Sequence, residues 1–302
     1  FGAVVSVGHF FMLGIHTLLV NQVFAQNKNK TFYHLTNANG LSYSAVSDIT
    51  QDDLGFMWIA TSKGLNFYDS NNIKTYLADS SKNSIPHNKI NCLLFSTTAK
   101  LLIGTENGLC YYDKTLDNFV QIEYKGYSLL TVYNIAELSN NQFLITSSRG
   151  NYIISKDFKS INEFSKNRTF KWIDKDKNNK IWAYNPQEIF QLTSDGNVLK
   201  SQPIFNNRKE KVEISKAFID SRGNLWVGTI NNGLFRYNRS TGNFTSITID
   251  NRTPINLLKY IREISEDSLG RLWIGTENGA FIYNHAINDY EHFQHSFDST
   301  RN

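Results

Sequence analysis

Five histidines beyond residue 25, namely His34, His87, His285, His292 and His295, and 27 acidic side chains are the groups that could do acid–base or metal chemistry. Their spacing does not assemble it. There is no HExxH pair, and His292 and His295 would point to opposite faces of a strand, so a zinc site is not expected. Asp174, Asp176 and Asn178 open like a calcium loop, yet Asn179 stands where the loop needs Gly and Asn185 where it needs Glu. That segment reads as a polar hairpin turn. No GxSxG elbow and no phosphate-cradling loop occurs, so no catalytic residue, metal or cofactor is expected.

A second set of residues could bind rather than react. Ring faces and planar polar groups at Tyr43, Lys63, His87, Glu106, Asn107, Tyr127, Arg149, Trp172, Asn231, Asn232, Glu277 and Asn278, with Glu188 beside them, are suited to a polyhydroxylated ligand. For each residue alone, an ordinary solvated turn or a packed aromatic is the simpler reading. What decides is whether the fold brings them to one face.

The elements that position them are repeats. DDLGFMWIATSKGLNFYD at 52–69, DSRGNLWVGTINNGLFRYN at 220–238 and DSLGRLWIGTENGAFIYN at 267–284 set a register, and weaker copies lie at 100–113, 142–155 and 180–192. Anchored on Trp58, Leu102, Leu144, Trp182, Trp226 and Trp273, they recur every 44, 42, 38, 44 and 47 residues. This is the period of a four-stranded propeller blade. The fold class is therefore all-β, a propeller of four-stranded blades at about 41–77, 85–122, 128–164, 168–204, 212–249 and 258–294. In each copy a first strand ends at a D-x-x-G turn, the second carries the Trp, and an Asn-Gly turn leads to an aromatic third strand. The large ring should wedge between neighbouring blades.

Counting back nine residues from each anchor gives Ile49, Leu93, Ile135, Ile173, Ala217 and Ile264. The residues before them, Asp48, Cys92, Asn134, Trp172, Lys216 and Glu263, are diverse. Two readings fit: strand pleating that alternates core and less buried faces, or a diverse set that lines a central channel. Turns after the second strands should share a face with the connections between blades, which places the candidate ligand residues together.

Residues 1–20 carry no charge and lead to Val23-Phe24-Ala25, which reads as a secretory signal cleaved after Ala25, leaving 26–302 as the propeller. The basic and acidic residues, 31 and 27, are scattered, without the basic stripe that nucleic acid requires. Cys92 and Cys110 fall on the first and third strands of one blade, about 9.5 Å apart by strand spacing, and are expected as free thiols. Thr31 to Leu35 resembles a fourth strand, and 298–302 echoes Asp79 to Asn83, the lead-in to the second repeat. Both suggest a seven-bladed ring cut short at its C-terminal end.

The pattern D-x-x-G-x-L-W-x-G-T-x-x-G-L-x-x-Y, clearest at 220–238 and 267–284, resembles the two-component regulator propeller repeat over roughly 31–302. The copies at 142–155 and 180–192 depart from it most. The resemblance implies a periplasmic sensory module of a hybrid histidine kinase, an oligosaccharide ligand and a homodimeric parent receptor. Membrane span and kinase core would lie downstream, so any kinase activity would belong there. A secreted carbohydrate-binding or protein-interaction propeller without kinase output is the alternative.

Overall fold

Each repeat folds into one antiparallel sheet because its short apolar strands are joined by turns that force reversal. The computed structural model describes residues 35–79, 81–138, 140–165, 168–247, 258 and 260–293. The signal segment, residues 31–34 and 298–302 lie outside the described residues. After a capped turn of 3-10 helix at Asn37–Asn39, six sheets follow with strands in sequence order. Blade one comprises Val46–Gln51, Met57–Thr61, Gly64–Tyr68 and Ile73–Tyr76. Blade two comprises Ile90–Phe95, Leu101–Thr105, Gly108–Asp113 and Asn118–Tyr124, with Tyr127–Ser128 as a short fifth strand. Blade three runs from Val132–Glu137 to Ile161–Phe164, and blade four from Trp172–Lys175 to Val198–Gln202. Blade five runs from Ile214–Ile219 to Asn243–Ser246, and blade six from Glu263–Glu266 to Asp289–Phe293.

The first turn of every blade needs a left-handed residue three positions after its opening residue. Gly55, Gly223 and Gly270 supply it in blades one, five and six, while Ala99, Asn141 and Asn179 adopt φ of 57, 59 and 58° in the others. Asp176, which opens the blade-four turn, accepts from the amides of Asn178 and Lys180 at 2.9 and 3.1 Å, so the calcium-like segment is the polar hairpin turn its residues suggest.

The opening Asp also has a second partner. Its Oδ2 accepts from the indole Nε1 six residues on, at 3.2 Å for Asp52 and Trp58, 3.5 Å for Asp176 and Trp182, 2.9 Å for Asp220 and Trp226, and 3.1 Å for Asp267 and Trp273. The two blades anchored on Leu102 and Leu144 have Ser96 and Leu138 at that position. Asp occurs where an indole N–H must be satisfied and is absent where there is none.

The rings do wedge between blades. Trp58 packs on Tyr112 of blade two with centroids 4.9 Å apart, Trp182 on Tyr237 of blade five at 4.9 Å, and Trp226 on Tyr283 of blade six at 6.2 Å. Five buried apolar clusters fill the five gaps between successive blades, and they constitute the core. Close approach is assured by Gly104 and Gly228: a methyl group at Gly228 would come within 2.5 Å of Ile261 on blade six, and one at Gly104 would collide with Cys92 Sγ and Val132. Cys92 and Cys110 are buried free thiols, as their strand positions require.

Replacing Asp220 with Ala should orphan the Trp226 indole and cost about 2 kcal/mol. The pair Asp220→Ser with Trp226→Leu should cost about 1 kcal/mol less than the sum of its single changes. Urea unfolding of wild type, Asp220→Ala, the two single changes of the cycle and their double variant checks both, and strict additivity would contradict the coupling. In the same assay Ala99→Gly should raise stability by about 0.5 to 1 kcal/mol, because glycine adopts that φ without steric cost.

Candidate functional site

In blades one, two, three and five the first strand pairs with the second through a register shift. It falls between Val46 and Asp48, Ile90 and Cys92, Val132 and Asn134, and Ile214 and Lys216. The residue skipped by the ladder is re-aimed. Ser47 Oγ donates to the Ile90 carbonyl at 2.6 Å, Asn91 Nδ2 to that of Val132 at 3.1 Å, and Ser215 Oγ to that of Ile261 at 2.6 Å. Each bond ties the inner strand of one blade to the inner strand of the next or, at Ile261, to the segment that leads into it. Asp48 Oδ2 accepts from Leu93 N at 2.7 Å and Asn134 Oδ1 from Ile173 N at 3.1 Å, which extends the same stitching.

Three of the diverse residues, Asp48, Lys216 and Glu263, converge as the channel reading expects, whereas Cys92 and Trp172 join the apolar clusters between blades. Lys216 of blade five meets Glu263 of blade six at 2.6 Å, and both act electrostatically on Asp48 of blade one. Burial pushes the Asp48 carboxyl up to about 6 although Lys216 pulls the other way. Desolvation disfavours the charge on Lys216, yet Glu263 and Asp48 more than offset it and hold the ammonium above its ordinary range. Burial, with the Asp48 charge adding, pushes the Cys92 thiol up and leaves it inert.

Above these residues the ring opens into a cavity of about 610 Å³. It is lined by Lys89, Asn91, Glu106, Thr131, Tyr133, Lys171, Tyr184, Pro186, Glu213, Ile214, Ser215, Ile230 and Tyr260, contributed by blades two to six and their connections. Lys89 pairs with Glu106 at 3.0 Å, and Asn91 donates to the same carboxylate at 3.4 Å. These partners hold Glu106 below its usual range, with the Lys89 bond the largest cause. The Lys171 ammonium lies 3.5 Å from the centre of the Tyr133 ring. Tyr184 donates to the Ser215 carbonyl at 2.9 Å, and burial raises its hydroxyl to about 12. The size, the three tyrosines and the convergent polar groups suit a small polar ligand.

The turns after the second strands do share a face with the blade connections: Ser128 Oγ donates to Asn107 O at 2.9 Å, and Thr131 Oγ1 to Glu106 O at 3.3 Å. Of the twelve residues singled out from sequence, Glu106 lines the cavity. Lys63 sits over the Tyr43 ring at 4.6 Å and Arg149 over Tyr127 at 5.5 Å, elsewhere on the same face. His87 Nδ1 accepts from the Lys89 amide at 3.0 Å, and Glu277 pairs with Arg262 at 2.8 Å. Asn107 and Asn231 are exposed on their turns, while Asn232 accepts from Asn206 at 3.1 Å. The Asn278 carbonyl meets His292 Nε2 at 2.9 Å. Trp172 is 8% exposed and belongs to the core between blades four and five, 6.1 Å behind the Tyr184 ring.

Most of the lining was missed, although a signal existed. Eleven residues before the anchors lie Asn91, Tyr133, Lys171 and Ser215, and thirteen before lie Lys89, Thr131, Glu213 and Tyr260. The bulges of blades two, three and five, which are invisible in a periodicity of two, turn Asn91, Tyr133 and Ser215 toward the mouth. Among the described residues no group of three or more His, Cys, Asp or Glu is arranged to hold a metal ion, and no helix is long and apolar enough to cross a membrane.

Residues 258–278 match the model of the two component regulator propeller family. A 71-residue stretch, 24% of the chain, is 38% identical to Histidine kinase P4 of Formosa agariphila, of which it spans 5%. Among solved structures, the extracellular domain of a hybrid two component system from B. thetaiotaomicron superposes with a TM-score of 0.71 and 23% identity. That alignment covers 88% of this chain and 37% of the other, so the chain spans little more than a third of that domain. The virginiamycin B lyase of Staphylococcus aureus superposes with a TM-score of 0.66 at 19% identity, covering 84% of this chain and 86% of the lyase. At such identities the likeness is one of fold.

A carboxyl held near 6 when folded, against about 3.9 when unfolded, binds its proton more readily in the folded state. The contribution of Asp48 is therefore fully present below pH 4 and is lost as pH rises through 6. Relative to wild type, Asp48→Asn should gain stability between pH 4 and 7, read from urea midpoints across that range. A difference that stays flat with pH would contradict the assignment.

Proposed function

Since this chain is a propeller carrying the two component regulator repeat, we propose that it is the extracytoplasmic sensory module of a hybrid two-component histidine kinase that recognises oligosaccharides. It works in the periplasm as part of a homodimeric receptor that signals across the inner membrane and adjusts polysaccharide use. The observation that carries the reading is the cavity of about 610 Å³ at the channel mouth, built from residues of five blades and lined by three tyrosines among polar groups. A pyranose presents apolar C–H faces to rings and hydroxyls to planar polar groups, and the lining offers both. The family match at 258–278 and the likeness to the extracellular domain of a hybrid two component system support the signalling half.

A ligand that bridges several blades would change how they sit on one another, and differential affinity for two arrangements is what a sensor needs. The channel residues beneath link blades one, five and six, so a change at the mouth reaches both ends of the blade array.

Thermal denaturation of the chain against a panel of oligosaccharides tests this. A ligand present at about 100 times its Kd should stabilise the fold by about 2.7 kcal/mol and raise Tm by a few degrees. The rise should disappear in Tyr260→Ala and persist in Leu199→Ala, an exposed outer-strand change. A rise that survives loss of Tyr260, or that no oligosaccharide produces, would overturn the reading.

A further inference from the structure

We infer that the cavity takes an anionic oligosaccharide, with a carboxylate or sulfate ester of one sugar seated on Lys171 and the hydroxyls of its neighbour read by Glu213. The inference rests on the oligosaccharide reading of this cavity and adds the charge of the ligand. Four charged side chains line the space, and they are not equivalent. Lys89 and Glu106 neutralise each other at 3.0 Å, and Asn91 adds a donor to the same carboxylate at 3.4 Å. That pair forms wall.

Lys171 is held differently. Among the described residues no carboxylate pairs with its ammonium, which rests against the Tyr133 ring with Nζ 3.5 Å from the centroid. A ring face holds a cation more weakly than a carboxylate does and leaves the donors of the ammonium for a ligand. The anchor is set by the backbone: Lys171 N donates to Tyr184 O at 2.8 Å, where blade four begins beside another cavity residue. Glu213 leads into blade five, and its backbone carbonyl accepts from Ile230 N at 3.0 Å. Among the described residues its carboxylate has neither an ion pair nor a hydrogen bond. An unpaired carboxylate accepts only, and vicinal hydroxyls present matching donors.

The lining thus sets a cation and an acceptor on consecutive blades, which is the pattern of a chain carrying an anion on one sugar and hydroxyls on the next. The rim agrees. Lys63 over Tyr43 and Arg149 over Tyr127 also lack a carboxylate partner among the described residues, and give this face a positive border that would steer an anion.

Isothermal titration calorimetry with three trisaccharides of equal length, one bearing a uronate, one a sulfate ester and one neutral, tests the inference. At least one anionic form should bind about tenfold tighter than the neutral one, with the advantage shrinking as sodium chloride is raised. Whichever anion shows the advantage identifies the group. Lys171→Met should remove the preference without abolishing neutral binding, Lys171→Arg should keep it, and Glu213→Gln should weaken all bound forms alike. Equal affinity for neutral and anionic sugars, or a preference untouched by Lys171→Met, would overturn the charge assignment while leaving the oligosaccharide site standing. Binding of no sugar at all would overturn both.

Discussion

One carboxylate per blade carries the geometry of most of this propeller. The Asp that opens the first turn caps that turn with one oxygen and accepts the indole N–H of the anchor Trp with the other, at 2.9 Å in blade five. A Trp buried between sheets brings more apolar surface than any other side chain, and it also brings an N–H that must not be orphaned. Satisfying it from within the same hairpin leaves the ring free to face the next blade. There a tyrosine of the third strand covers it, as Tyr112, Tyr237 and Tyr283 do. Blades two and three, without the indole, have neither the Asp nor the need for it.

Once the wedges set the angle between sheets, the inner strands are brought side by side and stitched by short polar bonds from bulged residues. The cost is a line of polar and charged groups facing inward. It is met by pairing, as in Lys216 with Glu263, and by shifted protonation, as in Asp48. At the mouth the bulges of blades two, three and five turn side chains out of the ladder, and it is there that Asn91, Tyr133, Ser215 and their neighbours gather. The site is thus a by-product of how the inner strands are made to fit, which explains why it draws on five blades and belongs to none.

Much of the fold was legible because its causes are local. The D-x-x-G turn, the Trp-x-Gly-Thr strand and the Asn-Gly hairpin each act within a few residues, and the strands at 46–51 and 289–293 fall where those signals put them. The site was less legible because its causes are not local. Glu106 could be reached from its turn, but Lys171 and Glu213 matter only through their places just before an inner strand and through the partners they lack, and Trp172 reads as an accessible ring until blade five covers it. The inward residues Asp48, Lys216 and Glu263 were visible as a set, while the attraction of Lys216 for the two carboxylates depends on a convergence that strand periodicity does not encode.

The mouth of the inner-strand ring is where we propose that a ligand is read. A crystal structure of the chain grown with an anionic oligosaccharide tests that most directly. Sugar density is expected in the cavity between Tyr133 and Tyr260, with its charged group on Lys171. Density on the opposite face, among the turns at Leu54 and Leu269, would contradict it.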